Sequence, residues 1–207
     1  MIERRLSPAT VHHPHWILNT AMRQGVEWEM LVNAPTKGLK LPRIVKREMQ
    51  VSSVEQAKSF LKAALPTAYG VVFAVAVTTG MRPSEYFGLK WQDIDWERGT
   101  VSVRRTLRKG SRGWVFGETK RACSRRVIRL QNWIIALLKQ LKDARAAQPA
   151  VDLHHCPEAE DLVFVTEFGK PINLNSLVYK HFKPILKRAG LPKIRLYDLR
   201  HTAATPH

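Results

Sequence analysis

The sequence predicts an α+β chain, mainly α-helical, with a small three-stranded antiparallel sheet set among the helices. Three observations predict it. Apolar residues recur at helical spacing over 52–65, 131–147 and 175–189. Residues 69–77 are apolar on every side, as a buried central helix requires. Between the helices, 100–106, 114–119 and 126–130 have strand character and are punctuated by the turn residues Lys109-Gly110-Ser111-Arg112-Gly113. A chain of 207 residues with 44% apolar content can bury a real core. The texture divides it into a helical segment 1–32, a basic linker 33–50 and a larger domain 51–207.

Taken in order, 7–31 is expected to be helical, with Ile17, Leu18, Ala21, Met22 and Val26 on one face. Pro14 cannot donate to the preceding turn, so the well-formed part is expected to start beside it. His12, His13 and His15 have no acid or cysteine at ligand spacing and read as a solvated helix start, not a metal site. Residues 33–50 combine Pro35, Gly38 and Pro42 with Lys37, Lys40, Arg43, Lys46 and Arg47. That is a linker, either tracking a charged backbone or serving as a plain tether.

Ser52 and Glu55 form a capping-box pattern ahead of Val54, Ala57, Phe60, Leu61, Ala64 and Leu65. The central helix then delivers Thr79-Gly80-Met81-Arg82-Pro83-Ser84-Glu85. Gly80 permits a sharp turn, Pro83 suits a first helical position, and Glu85 lies one turn beyond Arg82. By itself this is also what a surface ion pair at i,i+3 looks like. Residues 91–96 lead into the strands, and 119–126 form a basic hairpin tip holding Lys120, where a lysine is normally solvated or on a phosphate.

In 131–147, Ile134, Leu137, Leu138 and Leu141 are expected inward, and Lys139, Lys142 and Arg145 outward. His154-His155-Cys156 lacks a fourth ligand for zinc and reads as loop. A short strand is expected at 162–165 and a turn at 167–171. Asn175 is expected to cap a helix through Leu177, Phe182, Ile185 and Leu186, kinked at Pro184 and ended by Gly190.

The charge points to a partner. Lys+Arg number 34 against 17 Asp+Glu, a net +17 with a pI near 10.4. A surplus of that size favours polyanions, nucleic acid above all. It is also clustered: 98–129 holds eleven Lys/Arg and one acid, Glu118. Such a patch binds phosphates and releases them as salt rises. Cys123 and Cys156 lie in polar contexts, which fits a reducing compartment. No signal peptide is visible, and the apolar run 71–77 is too short to span a bilayer. A cytoplasmic, nucleoid-associated protein that engages no membrane is expected.

Thr79-Gly80-Met81-Arg82-Pro83-Ser84-Glu85, Lys120 on its strand hairpin, and Asp198-Leu199-Arg200-His201-Thr202 together resemble the motifs of the tyrosine recombinases, the phage-integrase family. The match in order and spacing runs from about Glu48 to Thr205, and residues 7–47 are similar to the end of that family's helical core-binding domain. The resemblance implies a recombinase catalytic domain preceded by a partial core-binding domain, double-stranded DNA as partner, other protomers in a synaptic tetramer, and no cofactor or metal. It implies the chemistry of strand breakage and rejoining in integration and excision. Two guanidinium forks hold the non-bridging oxygens of the scissile phosphate, and they stay charged at any working pH. By resemblance these are Arg82 and Arg200, with Glu85 orienting the first. Lys120 matches the general acid for the departing 5′ oxygen, and His201 a supporting histidine. Backbone contacts are expected from Arg104, Arg105, Arg121, Arg125, Arg126, Lys46 and Arg47.

Two departures stand out. Tyr197 occupies the position where the family usually has histidine; a phenol with a reference pKa of about 10 donates a hydrogen bond but shuttles protons poorly near neutrality. The family's nucleophile is a tyrosine a few dozen residues beyond the second arginine, forming a 3′-phosphotyrosine. Tyr69, Tyr86 and Tyr179 precede Arg200 and match no such position, so no nucleophile is expected in this chain. The sequence therefore reads as a piece shortened at both ends, with apolar surface left bare around 69–77 and 177–186. Some members donate their tyrosine to a neighbour. The rival readings are a non-catalytic DNA-binding remnant that occupies sites or interferes with an intact integrase, and a basic RNA-binding protein.

Overall fold

The structure, a computed structural model, describes residues 6–44, 53–111, 113–118, 125–147, 159 and 161–202. The chain divides into two compact units, Met1–Glu48 and Met49–His207.

In the first unit a single helix, α1 (Pro8–Glu27), is capped by Ser7, whose hydroxyl accepts from the Thr10 amide, with Pro8 in the first turn. Pro14 was expected near the helix start but sits inside it. The Ser7–Pro8 pair is the stronger start signal, and the helix tolerates one missing donor further on. Residues 33–44 of the expected linker fold back on α1. Thr36 is buried and donates to Asn19 Oδ1 at 2.7 Å, and the His12 ring meets the Pro42 carbonyl at 2.9 Å. Lys46 and Arg47 lie outside the described residues.

The second unit is helical around a small sheet. α2 (Val54–Ala64) is capped by Ser53, which exchanges bonds with Gln56. The capping box thus stands one residue beyond the expected Ser52–Glu55. α3 (Gly70–Thr79) is the central helix, with Val72 through Val77 all buried. Phe60 of α2, Phe73 of α3 and Phe182 form an aromatic cluster with centroids 5.5–6.0 Å apart. Gly80, at φ 60°, ends α3 in the left-handed conformation that a side chain would resist. α4 (Pro83–Phe87) and a 3₁₀ turn (Trp91–Asp93) follow.

The strands are β1 (Ile94–Asp95), β2 (Thr100–Val103), β3 (Arg105–Gly110), β4 (Gly113–Glu118) and β5 (Arg126–Arg129). β1, β2 and β5 form an antiparallel three-stranded sheet; β3 and β4 form a separate antiparallel ribbon. The expected strand 100–106 is therefore two strands that exchange partners at Arg104. The expected neighbours 114–119 and 126–130 pair with β3 and β2 respectively, not with each other. The segment 119–124 that connects them, with Lys120, Arg121 and Cys123, lies outside the described residues.

α5 (Asn132–Ala146) buries Ile134 and Leu138 as expected. Arg145, expected outward, is half-buried and donates to the Leu162 and Val163 carbonyls, pinning the 161–165 segment to the end of α5. Burial lowers its pKa. The histidines and cysteine at 154–156 lie outside the described residues. α6 (Leu174–Leu177) is capped by Asn173, two residues before the expected Asn175. It passes through a π turn (Val178–Phe182) into α7 (Lys183–Arg188). The wider π turn lets the chain absorb Pro184, whose ring would otherwise press on the turn before it. Gly190 closes α7 in a Schellman arrangement, with Leu191 N–H on the Leu186 carbonyl at 3.0 Å and Gly190 N–H on Lys187 at 3.2 Å. A 3₁₀ turn (Leu196–Asp198) and α8 (Leu199–Thr202) complete the described chain.

The apolar surface expected to lie bare around 69–77 and 177–186 is mostly covered: Val72–Val77, Leu177, Phe182, Ile185 and Leu186 are all buried. α2 packs against both α3 and α7, and Phe182 of the π turn meets Phe73 of α3. Among the described residues, no helix is long and apolar enough to cross a membrane.

Candidate active site

The first arginine loop is built at the carboxyl end of α3. Thr79 ties its hydroxyl to the Val75 carbonyl at 2.6 Å and accepts from Met81 N–H at 3.3 Å, while the Met81 side chain is buried. That fixes the backbone on one side of Arg82, and Pro83 at the first position of α4 fixes it on the other. Arg82 has extended backbone (φ −72°, ψ 150°) and a side chain 45% exposed, so its guanidinium stands at the surface on a rigid stem.

Glu85 holds it there. The carboxylate is 2% exposed and accepts from the Arg82 amide at 2.8 Å and from Arg82 Nη1 at 2.9 Å. It also accepts from a second arginine: Arg126 Nη2 at 2.8 Å and Nη1 at 3.4 Å. Burial by itself would raise the Glu85 pKa. Hydrogen bonds from Arg126, then from the Arg82 amide and guanidinium, outweigh it and hold the group below the ordinary carboxylate range. The Arg82 guanidinium is held charged in return, by Glu85 first and by the Tyr197 side chain second.

A pH prediction follows from the sign of that shift. A group whose folded pKa is depressed stabilises fully above its unfolded value, about 4.3 for glutamate, and loses that contribution as pH falls through the folded value. The stability gap between the wild type and Glu85→Gln, measured by urea unfolding, is expected to be constant from neutrality to about pH 5 and to shrink below about pH 4. A gap that does not change with acid would refute a charged Glu85.

The second arginine loop rests on the same helix. Asp198 accepts from the Arg195 amide at 2.8 Å and starts the short turn, and Leu196 and Leu199 are buried anchors. α8 packs against α3, so both arginine-bearing segments share one scaffold. Tyr197, 46% exposed, is a polar neighbour of Arg82, and Arg200 follows it by one helical turn. Arg200 Nη1 is buried without a hydrogen-bond partner among the described residues. A guanidinium nitrogen in that position calls for an anion. The side chain of His201 is not among those described.

The structure thus brings Arg82, Glu85 and Tyr197 together and sets Arg200 one turn from Tyr197. Of the arginines expected on DNA, Arg104 and Arg125 are exposed and flank an open depression with Ser102, Val103, Arg126 and Val127. Arg126 itself is committed to Glu85. Arg105 is turned onto Asp93, a carboxylate with 1% exposure that also accepts from the Lys90 amide at 2.9 Å and lies 3.9 Å from Arg104 Nε. Arg126 as a partner of Glu85, and Asp93 as a second buried acid beneath arginines, went unread in the sequence. The signal for Asp93 was present in Lys90-Trp-Gln-Asp93, which repeats the spacing of Arg82-Pro-Ser-Glu85.

The other tyrosines are engaged elsewhere. Tyr86 is fully buried and its phenol is pushed far up by burial. Tyr69 stacks edge-on with His181 at 4.4 Å, and the exposed Tyr179 carries Lys183 Nζ over its ring at 3.9 Å. No cluster of three or more His, Cys, Asp or Glu suited to a metal occurs among the described residues.

Comparisons with known proteins bear on this geometry. A family model described as the phage integrase family matches residues 47–206. The chain is 28% identical to a tyrosine recombinase XerC-like protein of Caldanaerobacter subterraneus, over 96% of this chain and 55% of that one. It is 24% identical to an integrase of Saccharopolyspora erythraea, over 99% of this chain and 58% of that one. It spans about half the length of the curated relatives it matches. In fold it resembles the Tn1549 transposon integrase, solved in complex with a circular intermediate DNA, with a TM-score of 0.81 at 19% identity, over 97% of this chain and 67% of that one.

Proposed function

The chain belongs to the phage integrase family of tyrosine recombinases, and from that premise we propose that it acts on double-stranded DNA in the breaking and rejoining of strands during integration and excision. The observation that carries this is the pair of arginine segments mounted on α3, one held by a buried carboxylate and the other with a buried nitrogen that has no partner among the described residues. That arrangement suits a single phosphate.

In this reading Arg82 and Arg200 donate to the non-bridging oxygens as negative charge grows in the transition state. Glu85 orients Arg82. Lys120 protonates the departing 5′ oxygen, and His201 supports the second arginine. Tyr197, in the usual histidine place, donates a hydrogen bond to the phosphate. Arg104, Arg125, Arg121, Lys46 and Arg47 contact the DNA backbone; Arg105 and Arg126 act mainly on their carboxylates. Other protomers assemble with this one on DNA in a synaptic tetramer, and the site of action is the nucleoid.

This chain alone does not form the covalent intermediate. Tyr86 is sealed in the core, Tyr69 is stacked on His181, Tyr179 lies in the π turn with Lys183 over its ring, and Tyr197 stands beside Arg82, whose guanidinium donates to its phenol oxygen. The tyrosine for the 3′-phosphotyrosine comes from outside these residues. The purified chain is therefore expected to bind duplex DNA in a salt-sensitive manner, yet to leave no protein–DNA adduct on a nicked suicide substrate. An adduct surviving denaturation would overturn the nucleophile assignment, and binding indifferent to salt would overturn the DNA reading.

A further inference from the structure

Glu85 is one negative charge shared by two arginines. Arg82 contributes its amide and one guanidinium nitrogen, and Arg126 contributes both terminal nitrogens. The cluster therefore keeps one positive charge in excess. Arg126 is also the better fixed of the two. It opens β5 opposite the buried Val103 of β2, and the strand's alternation turns it inward while Val127 is 66% exposed. It stands immediately beyond the basic segment 119–125, at the foot of the depression flanked by Arg104 and Arg125.

We propose that Arg126 is a positioning residue for Arg82: through Glu85 it supplies the second cation that leaves the Arg82 guanidinium free to hold a phosphate. Without Arg126, Glu85 has one cationic partner and the pair is neutral. Arg82 then closes fully on the buried carboxylate, and phosphate must compete with it. The inference rests on Arg82 holding a DNA phosphate. It differs from a direct contact between Arg126 and DNA, which the basic run containing this residue would lead one to expect.

The test is duplex-DNA binding by fluorescence anisotropy on the full chain, with thermal unfolding of each variant recorded alongside. Arg126→Met keeps the aliphatic stem and is expected to weaken binding about tenfold, as loss of a charged hydrogen-bonding partner does. Combining it with Arg82→Gln should cost at most about threefold more than Arg82→Gln alone, because both act on one contact. Glu85→Gln added to Arg126→Met restores the excess positive charge and should return affinity to within about threefold of the wild type. Arg126→Lys retains the charge and should lose less than Arg126→Met.

Losses that multiply, with no rescue by Glu85→Gln, would show Arg126 contacting DNA itself and overturn the inference. Unchanged binding by Arg126→Met would do the same. If Arg126→Met does not fold, the comparison passes to Arg126→Lys and the Glu85→Gln/Arg126→Met pair; a folded rescue variant that still fails to bind also overturns it. A wild-type chain that ignores duplex DNA refutes the proposed function instead, so the two failures are distinct.

Discussion

Replacing Arg82 and Arg200 together by glutamine is expected to remove about 3–6 kcal/mol of duplex-DNA binding, at roughly 1.5–3 kcal/mol for each charge-assisted contact. That is a fall in affinity on the order of a hundredfold or more. The geometry makes a sharper claim than the size of the loss. Both segments are mounted on α3 and Tyr197 lies between them in the chain and beside Arg82 in space, so the two guanidinia are read as serving one phosphate. Each phosphate neutralised contributes about 0.9 to the slope of log affinity against log salt. The double variant should therefore lower that slope by about 0.9, where two independent surface contacts would lower it by about 1.8. Anisotropy titrations across a salt series separate these outcomes. A slope change near the larger value would mean that the arginines touch different phosphates.

Much of this site was legible because its signals are local. Gly80 before Met81-Arg82-Pro83 dictates a left-handed helix end followed by a helix start, and that is what places Arg82. The central helix was legible from composition, since only burial explains a helix apolar on all sides. Local signals also explain the near misses. Ser52 with Glu55 and Ser53 with Gln56 are equally good capping boxes in sequence, and nothing local chooses between them. Asn173 and Asn175 pose the same ambiguity.

What was not legible is non-local. Positions 101, 103, 105 and 107 alternate inward without interruption, so the passage through Arg104 reads as one strand. The exchange of partner from β5 to β4 leaves no mark on that period. Arg145 lies on the outward side of α5 by its spacing, but the Leu162 and Val163 carbonyls arrive from elsewhere in the chain to meet it. Arg126 and Glu85 are 41 residues apart. In a run of eleven cations, sequence offers no reason to single out the one that faces a buried acid. Among the described residues the basic patch thus contains two populations, exposed cations such as Arg108 and Arg125 and cations such as Arg105 and Arg126 that hold carboxylates beneath them.

Replacing Phe73 by alanine is expected to destabilise the second unit by about 3–5 kcal/mol, the cost of removing a buried aromatic side chain from a core that collapses only partly. That is a large share of the roughly 5–15 kcal/mol by which a domain is stable. Phe73 is fully buried and touches two partners: Phe60 edge-on at 5.5 Å and Phe182 at 6.0 Å. The three rings join α2, α3 and the π turn, so no single element can move to fill the space. Urea unfolding should show the midpoint lowered by about 1–3 M with little change in slope. Phe73→Leu, which leaves a smaller cavity, should recover more than about half of the loss. The consequence reaches the site because α3 carries Arg82 at its end and receives α8 with Arg200 on its flank. At temperatures where Phe73→Ala remains folded, its DNA affinity should stay within about threefold of the wild type, since distant sites act nearly independently. Near its lowered midpoint, binding and folded fraction should fall together. A loss of less than about 1 kcal/mol would show that the aromatic cluster is not what holds these helices in register.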